Sequence, residues 1–123
     1  TRTQLIWSRC PVGMTTQGSQ CKGEAKLMKW VAAERYARQR GGGWRLPTLN
    51  ELLGIVEKRC SNPSINQKIF PGVIELYKGQ AKYWSSTSYK EIPTLFCNVD
   101  FLHGTVDANS QGIVMGVRLV RNK

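Results

Sequence analysis

Few residues in this chain have the chemistry for catalysis. Its one histidine, His103, and the serines Ser85, Ser86 and Ser88 are the candidates for a general base and a nucleophile. A nucleophilic site needs both groups side by side, and no G-x-S-x-G turn surrounds any of these serines. His103 falls at the tip of a predicted hairpin, where a single histidine is usually part of the turn and has no catalytic role. The sequence therefore predicts a protein that is not an enzyme.

The acidic residues and the cysteines also give little support to a metal site. Calcium takes about six to eight oxygen ligands, and the chain has two aspartates, Asp100 and Asp107. A zinc site needs cysteines or histidines at short spacings. The four cysteines form no C-x-x-C pair, and His103 is the single histidine. We predict no metal site and no cofactor.

The charge distribution is the strongest compositional signal. The formal net charge is +10, from 18 basic and 8 acidic residues. Nine of the basic residues but only two of the acidic ones lie within residues 1–45. This asymmetry indicates a polyanionic partner. The candidates are an acidic polysaccharide, the phosphates of lipopolysaccharide and a nucleic acid. The alternative is a solvated basic face that keeps the protein soluble.

The first candidate binding site is a basic helix. Apolar residues recur at intervals of three and four between Gly23 and Arg40, which predicts a helix over that range. On a helical wheel Lys22, Lys26, Lys29 and Arg40 fall within a narrow arc. A row of cations at this spacing could follow sulfate or phosphate groups, with arginine making bidentate contacts.

The second candidate site lies on the loops in the C-terminal half. Tyr89, Lys90, Asn98, His103 and Asn109 combine an aromatic ring, a cation and amide groups. Hydroxyl-rich ligands are recognised by such groups, and recognition residues are frequent on loops that a rigid sheet supports. The alternative is an ordinary polar loop without a ligand.

These candidates must be positioned by helices and strands that local signals define. Thr48 and Glu51 have the spacing of a capping box, which predicts a second helix over Thr48–Arg59. Further on, Leu95–Phe101 and Gly104–Asp107 are predicted to form a hairpin. Thr87–Thr94 and Ala108–Gly112 are predicted loops, and Ile113–Val120 is the predicted last strand. Helices followed by antiparallel strands indicate an α+β fold.

Several short motifs occur in a recognisable order along almost the whole chain. They are L-x-W-x-R-C-P-x-G from Leu5, C-x-G-x-A from Cys21, WRLPT from Trp44, NPSIN from Asn62, YWSST from Tyr83 and VRLVR from Val117. In this order they resemble the bacterial family typified by the C-terminal domain of the Legionella collagen-like protein. That family is similar to the C-type-lectin-like and sulfatase-modifying-factor-like folds.

The resemblance implies a C-type-lectin-like fold, with two helices packed on a twisted antiparallel sheet, long loops, and adjacent N- and C-terminal strands. Residues 1–123 are then one domain, the C-terminal module of a longer exported protein. It also implies a secreted or cell-surface adhesion module that binds lipopolysaccharide or acidic polysaccharide, such as the tip domain of a pilus or adhesin. The lectin tripeptides E-P-N, Q-P-D and W-N-D are missing, which argues against calcium-dependent binding.

Other partners and arrangements stay open at this point. The alternative function is a protein–protein interaction module, namely an inhibitor, a receptor-binding domain or a phage-tropism domain. No nucleic-acid reader motif is present, which argues against nucleic acid. No apolar run approaches the roughly 20 residues of a membrane-spanning helix. Oligomerisation would come through the parent protein.

Four cysteines allow three disulfide connectivities. The favoured pairing joins Cys10 to Cys21 across the Pro11–Gln20 loop, and Cys60 to Cys97. Cys97 stands where the resembled family often has an aromatic residue, which suggests a cross-link there. Disulfides would indicate the periplasm or the exterior. The alternative is four buried thiols in a cytosolic protein.

Overall fold

The described part of the chain contains two helices and strands of three to nine residues. The computed structural model describes residues 5–18, 20–56, 65, 70 and 80–122. Within these residues there are two helices, α1 (Trp30–Arg40) and α2 (Leu49–Gly54). The strands are β1 (Leu5–Trp7), β2 (Met14–Gln17), β3 (Gln20–Gly23), β4 (Lys82–Tyr89), β5 (Ile92–Asp100), β6 (Thr105–Ser110) and β7 (Val120–Asn122).

The described strands form three antiparallel sheets, whereas the sequence predicted one sheet. β1 pairs with β7, β2 pairs with β3, and β4, β5 and β6 form a three-stranded meander. The predicted adjacency of the first and last strands is confirmed, with Leu5 opposite Asn122 and Trp7 opposite Val120. The α+β class is confirmed as well.

Isolated bridges join the C-terminal segment to other parts of the fold. Arg45 and Val120 exchange two backbone hydrogen bonds of 2.8 and 3.0 Å, and Met28 and Met115 exchange two of 2.8 and 2.9 Å. A parallel bridge also links Tyr83 of β4 to Gly116. The C-terminal segment is thereby bonded to residues from three separate parts of the chain.

The hydrophobic core lies on both faces of β4. Tyr83 and Trp84 are neighbours whose side chains point to opposite faces of the strand, and both are fully buried. Trp84 packs in a cluster with Ala33 and Ala37 of α1. Tyr83 packs in a second cluster with Leu52 of α2 and with Phe101. Each helix therefore covers one face of the meander.

The first helix begins seven residues later than predicted, so the expected helix over Gly23–Arg40 is wrong in its first part. Lys22 lies in β3 opposite Thr15, and Gly23 has a φ of 95°, which a helix cannot accommodate. Met28 is then held extended by its bridge to Met115. Lys29 is the N-cap of the helix, and its side chain makes no capping bond.

The second helix begins where the capping box predicts. The Thr48 side chain accepts a hydrogen bond from the Glu51 amide, and the Glu51 carboxylate accepts one from the Thr48 amide. The helix ends at Gly54 rather than Arg59, and Val56 bridges to the buried Ile65. Residues 57–59 lie outside the described residues.

The hairpin is confirmed, but its strands extend into the predicted loops. β4 runs to Tyr89 and β5 begins at Ile92, so the Thr87–Thr94 loop is a tight turn between long strands. β6 continues to Ser110, into the predicted Ala108–Gly112 loop. The last strand, by contrast, is confined to Val120–Asn122, because the preceding residues make single bridges to separate partners.

One of the two expected disulfides is confirmed. Cys10 and Cys21 are bonded, with their Cα atoms 5.8 Å apart. Cys97 carries a buried free thiol, so the expected Cys60–Cys97 bond is not formed in this structure; Cys60 itself lies outside the described residues. Cys97 is inside the meander, opposite Ala108 of β6, and burial raises the pKa of its thiol. Among the described residues, no helix has the length and apolar character to span a membrane.

Candidate functional site

Two arginines meet over one tryptophan at the C-terminal end of α1. The guanidinium carbon of Arg40 lies 4.7 Å from the centre of the Trp44 ring. That of Arg121 lies 5.7 Å from the same ring. Both distances are within the range of a cation–π contact. We call Arg40, Trp44 and Arg121 the arginine cluster.

Backbone pairing brings the members of this cluster together. Arg45 bridges Val120, so their neighbours Trp44 and Arg121 lie beside each other. Arg121 Nη1 also donates a 3.0 Å hydrogen bond to the carbonyl of Gly42. Residues 41–43 are glycines at positive φ, a conformation that other residues rarely adopt. They let the chain turn back so that Trp44 comes under Arg40.

The cluster differs from the neighbouring arginines in having no acidic partner in the described part of the chain. Arg45 donates to both carboxylate oxygens of Glu51, at 2.8 and 2.9 Å, and to Asn122 at 2.8 Å. The hydrogen bonds between Arg45 and Glu51 lower the pKa of Glu51 and raise that of Arg45. Arg38 pairs with Glu34 one turn away. Within the described residues, the charges of Arg40 and Arg121 are therefore not paired with a carboxylate.

The predicted row of cations on one helix is not present. Lys22 is on β3, Lys26 lies in the extended connection, and Lys29 is the N-cap of α1. All three are exposed. Arg40 is the last residue of α1, about 16 Å from its start at 1.5 Å per residue. The structure therefore separates Arg40 from the three lysines.

The second predicted site is also divided by the fold. Tyr89 and Lys90 lie at the turn between β4 and β5, whereas His103 lies at the turn between β5 and β6. These turns are at opposite ends of β5, roughly 26 Å apart for eight steps of about 3.3 Å. Tyr89 and Lys90 border an open groove of about 620 Å³ that includes Val106 and Ala108.

Asn98 and Asn109 belong to a network inside the meander. Asn98 is fully buried, and its Nδ2 donates a 2.9 Å hydrogen bond to Asn109 Oδ1. Lys82 Nζ donates to the same oxygen at 3.2 Å and to Asp107 Oδ2 at 2.9 Å. Asn98 thus lies in the strand predicted over Leu95–Phe101, but it is buried and not on an accessible loop face, because β5 is the central strand of the meander.

His103 is bonded to a buried carboxylate. Its Nδ1 lies 2.6 Å from Asp100 Oδ2, while Asp100 Oδ1 accepts hydrogen bonds from the amides of Ala81 and Leu102 at 2.9 and 3.0 Å. Burial alone would raise the pKa of Asp100, but its contacts with His103 and the two amides outweigh burial and lower it. The pair fixes the turn between β5 and β6.

Ser85, one of the three serine candidates, has structural partners. Ser85 is fully buried, and its Oγ donates a 2.6 Å hydrogen bond to the carbonyl of Cys97. Its own carbonyl accepts a 3.0 Å bond from the Trp30 indole nitrogen. This serine therefore links β4 to β5 and to α1.

Arg118 is a charged residue of the core whose role the sequence did not reveal. It is fully buried, and its Nη1 donates to the carbonyls of Ser8 and Arg9. Burial lowers the pKa of Arg118 to about 10 and raises that of the adjacent Tyr83 to about 12. The guanidinium lies 5.5 Å from the Phe70 ring. Arg118 thus connects the N-terminal segment to the core.

The family model of the Lcl C-terminal domain matches residues 1–121. The chain belongs to this family. None of the curated proteins compared with the chain shows a significant match. In this Lcl C-terminal domain, the WRLPT and VRLVR motifs supply Trp44 and Arg121 of the arginine cluster. Sequence reasoning singled out both motifs but named neither Trp44 nor Arg121 as a site residue, because no local signal shows that the two segments pair.

Proposed function

We propose that this Lcl C-terminal domain is a non-enzymatic recognition module that binds an acidic glycan on a cell surface. Lipopolysaccharide and sulfated polysaccharide are the two ligand types with suitable charge. The observation that carries the proposal is the arginine cluster, in which two guanidinium groups are held on one ring. The finer assignment to a C-type-lectin-like fold is part of the same proposal.

The geometry of the cluster suits sulfate, phosphate or carboxylate groups. A guanidinium presents parallel N–H donors that match the oxygens of these anions, and such charge-assisted bonds are stronger than neutral ones. Contact with Trp44 restricts both side chains before a ligand arrives, which reduces the entropy that binding must remove. The cluster is therefore better prepared for an anion than a mobile lysine would be.

The outer face of α1 extends this basic surface. Arg35 is exposed, and the Arg38 side chain remains 80% exposed although it pairs with Glu34. With Lys29 at the start of the helix and Arg40 at its end, cations occur along the whole length of α1. A linear ligand with repeated negative charges could contact several of them at once, and each contact would be weakened by salt.

One further observation supports binding rather than catalysis, and another supports export of the domain. His103 and Ser85, the candidates for acid–base and nucleophilic chemistry, are each engaged in holding strands or turns together. The Cys10–Cys21 disulfide is typical of an oxidising compartment. We propose that the domain is exported through the periplasm to the cell surface.

A protein–protein interaction module is the second candidate function, and one surface favours it. Tyr89 and Val106, which line the groove described above, are exposed to 37% and 47%, and Ile92 at the start of β5 is exposed to 49%. Exposed apolar groups in one area are typical of protein interaction sites.

Binding to dextran sulfate, with neutral dextran as a control, tests the proposed function. Replacing Arg40 and Arg121 by glutamine should weaken binding at low salt by at least about tenfold, since charge-assisted bonds are lost. The matched control is Lys22→Gln with Lys26→Gln, which removes the same charge from another surface. We expect it to lower affinity by less than about threefold, as for screened surface charges.

Two outcomes would contradict this site or this function. Equal losses in the two double variants would show attraction by overall charge without a site at the arginine cluster. Equal binding of dextran sulfate and dextran by the parent protein would exclude recognition of acidic glycans. A thermal unfolding curve for each variant verifies that it remains folded.

A further inference from the structure

A second, chemically different cleft lies on the opposite side of the meander from α2. It has a volume of about 200 Å³, smaller than the roughly 300–1,000 Å³ of sites that enclose a whole small ligand. Its size suits one substituent of a ligand. Its lining includes Leu27, Lys82, Asn109, Ile113, Val114 and Met115, and we call it the Asn109 cleft.

One wall of the Asn109 cleft is apolar and accessible. Ile113 and Val114 are consecutive branched residues with 42% and 48% of their surface exposed, and the buried Met115 follows them. Leu27 faces them from the connection before α1. A methyl group placed between these side chains would be removed from water, which is favourable.

The polar wall carries donors but little net charge. Lys82 Nζ has three protons, and the described contacts use two of them, one toward Asp107 and one toward Asn109. Its charge is balanced by Asp107, and the hydrogen bond from Lys82 lowers the pKa of that carboxyl group. The third ammonium proton can be donated to a neutral carbonyl oxygen. The paired Asp107 makes the cleft less suitable for a second carboxylate or sulfate.

A buried acceptor behind this wall is left without a partner. Among the described residues, no donor bonds to Oδ1 of Asn98, although Asn98 is fully buried. Its Nδ2 is bonded to Asn109 Oδ1, so the unsatisfied amide lies directly behind a lining residue of the cleft. Buried acceptors usually have a partner, so the polar network behind the cleft has one acceptor that neither Asn109 nor Lys82 satisfies. Gln80, on the rim, offers a further amide oxygen.

We propose that the Asn109 cleft binds the acetamido group of an N-acetylated amino sugar. Its methyl group lies against Leu27, Val114 and Met115, and its carbonyl accepts from Lys82. Its N–H donates to the side-chain oxygen of Gln80, since the Asn109 oxygen already accepts two hydrogen bonds. This inference rests on the proposed function only in taking the ligand to be a glycan. It adds a neutral site to the charged one and narrows the proposed ligands to glycans that carry acetamido groups.

Ligand-observed NMR with monosaccharides tests the proposal on the whole chain. N-acetylglucosamine should give saturation transfer strongest at its acetyl methyl group. Glucose and glucosamine should bind at least about fivefold more weakly, since a buried methyl group and a hydrogen bond are lost. N-acetyl-lysine methylamide serves as a probe with the same group on an aliphatic chain.

Matched variants locate the site. Val114→Asn should weaken N-acetylglucosamine binding by at least about fivefold, for the loss of the apolar wall. Val31→Asn is the control, since Val31 on α1 is 49% exposed, nearly the same as Val114; it should leave binding unchanged. Both positions are exposed, so both variants are expected to fold, which thermal unfolding verifies.

Three results would overturn the inference. They are equal binding of glucose and N-acetylglucosamine, equal effects of the two valine variants, and binding of the lysine derivative as tight as that of the sugar. The proposed function is judged separately, by dextran sulfate and the Arg40 and Arg121 variants. Loss of acidic-glycan binding with intact N-acetylglucosamine binding would reject the function of the arginine cluster alone, and the converse would reject the cleft alone.

Discussion

The arginine cluster and the β5–β6 hairpin both concentrate polar groups, but they use charge in opposite ways. In the cluster, Arg40 and Arg121 contact a ring and, within the described residues, no carboxylate. In the hairpin, Asp100 is bonded to His103 and two amides, and Asp107 is bonded to Lys82. A charged residue is therefore a better binding candidate when its charge is not paired with a carboxylate, whether it lies in a loop or in a helix.

The largest expected effect is on the hairpin side of this comparison. Replacing Asp100 by alanine leaves the amides of Ala81 and Leu102 without an acceptor in a buried position. At about 1–3 kcal/mol for each buried group, the free energy of unfolding should fall by about 4 kcal/mol. Affinity for dextran sulfate should be unchanged in the folded variant. Denaturant unfolding and a binding titration measure the two quantities.

Asp100→Asn provides the conservative control, since one oxygen remains to accept both amides. A change in the dextran sulfate affinity of the asparagine variant would contradict the structural role of these hairpin charges, because it would place the turn at His103 in the binding surface.

Acid should weaken the same region to a smaller extent. The pKa of Asp100 is lowered in the folded protein, so its contribution to stability is present above the unfolded pKa and is lost as the pH falls through the folded value. Glu51 follows the same rule because of its bonds with Arg45. The free energy of unfolding should therefore decrease below about pH 4. Urea titrations at a series of pH values measure this.

The asparagine variant again sharpens the result. It lacks the titrating group at position 100, so its stability should depend less on pH in this acidic range than that of the parent protein. Identical pH profiles would show that the Asp100–His103 contact contributes little to stability.

The smallest expected effect is on the cluster side. Trp44→Leu removes the ring that holds both guanidinium groups while leaving the charges in place. We expect dextran sulfate to bind about threefold to tenfold more weakly, because the arginines are no longer restricted and cation–π contacts are worth about 0.5–1 kcal/mol at exposed sites. Isothermal titration calorimetry at low salt is the appropriate measurement.

Trp44→Phe keeps an aromatic face and should retain most of the affinity. If leucine and phenylalanine at position 44 gave the same affinity as tryptophan, the cluster would act only through its charge. The distinction between held and mobile cations would then have no functional meaning.

Local signals in the sequence predicted some elements well. The Thr48 and Glu51 capping box placed the start of α2, since both of its bonds lie within one helical turn. The hairpin around His103 was found from alternating strands separated by a short turn. The start of α1 was misplaced because the spacing of apolar residues before Trp30 also fits a helix, and the bridge of Met28 to Met115 prevailed over it.

Composition, motif order and short spacings were enough to predict the α+β class, the family, the excess of cations near the N-terminus and the favoured Cys10–Cys21 pairing. Which cations meet depends instead on contacts between distant segments. Arg121 reaches Trp44 through the bridge of Arg45 to Val120, a contact between residues far apart in the chain. Asn98 became buried for the same reason, since the burial of a strand depends on what packs on its faces.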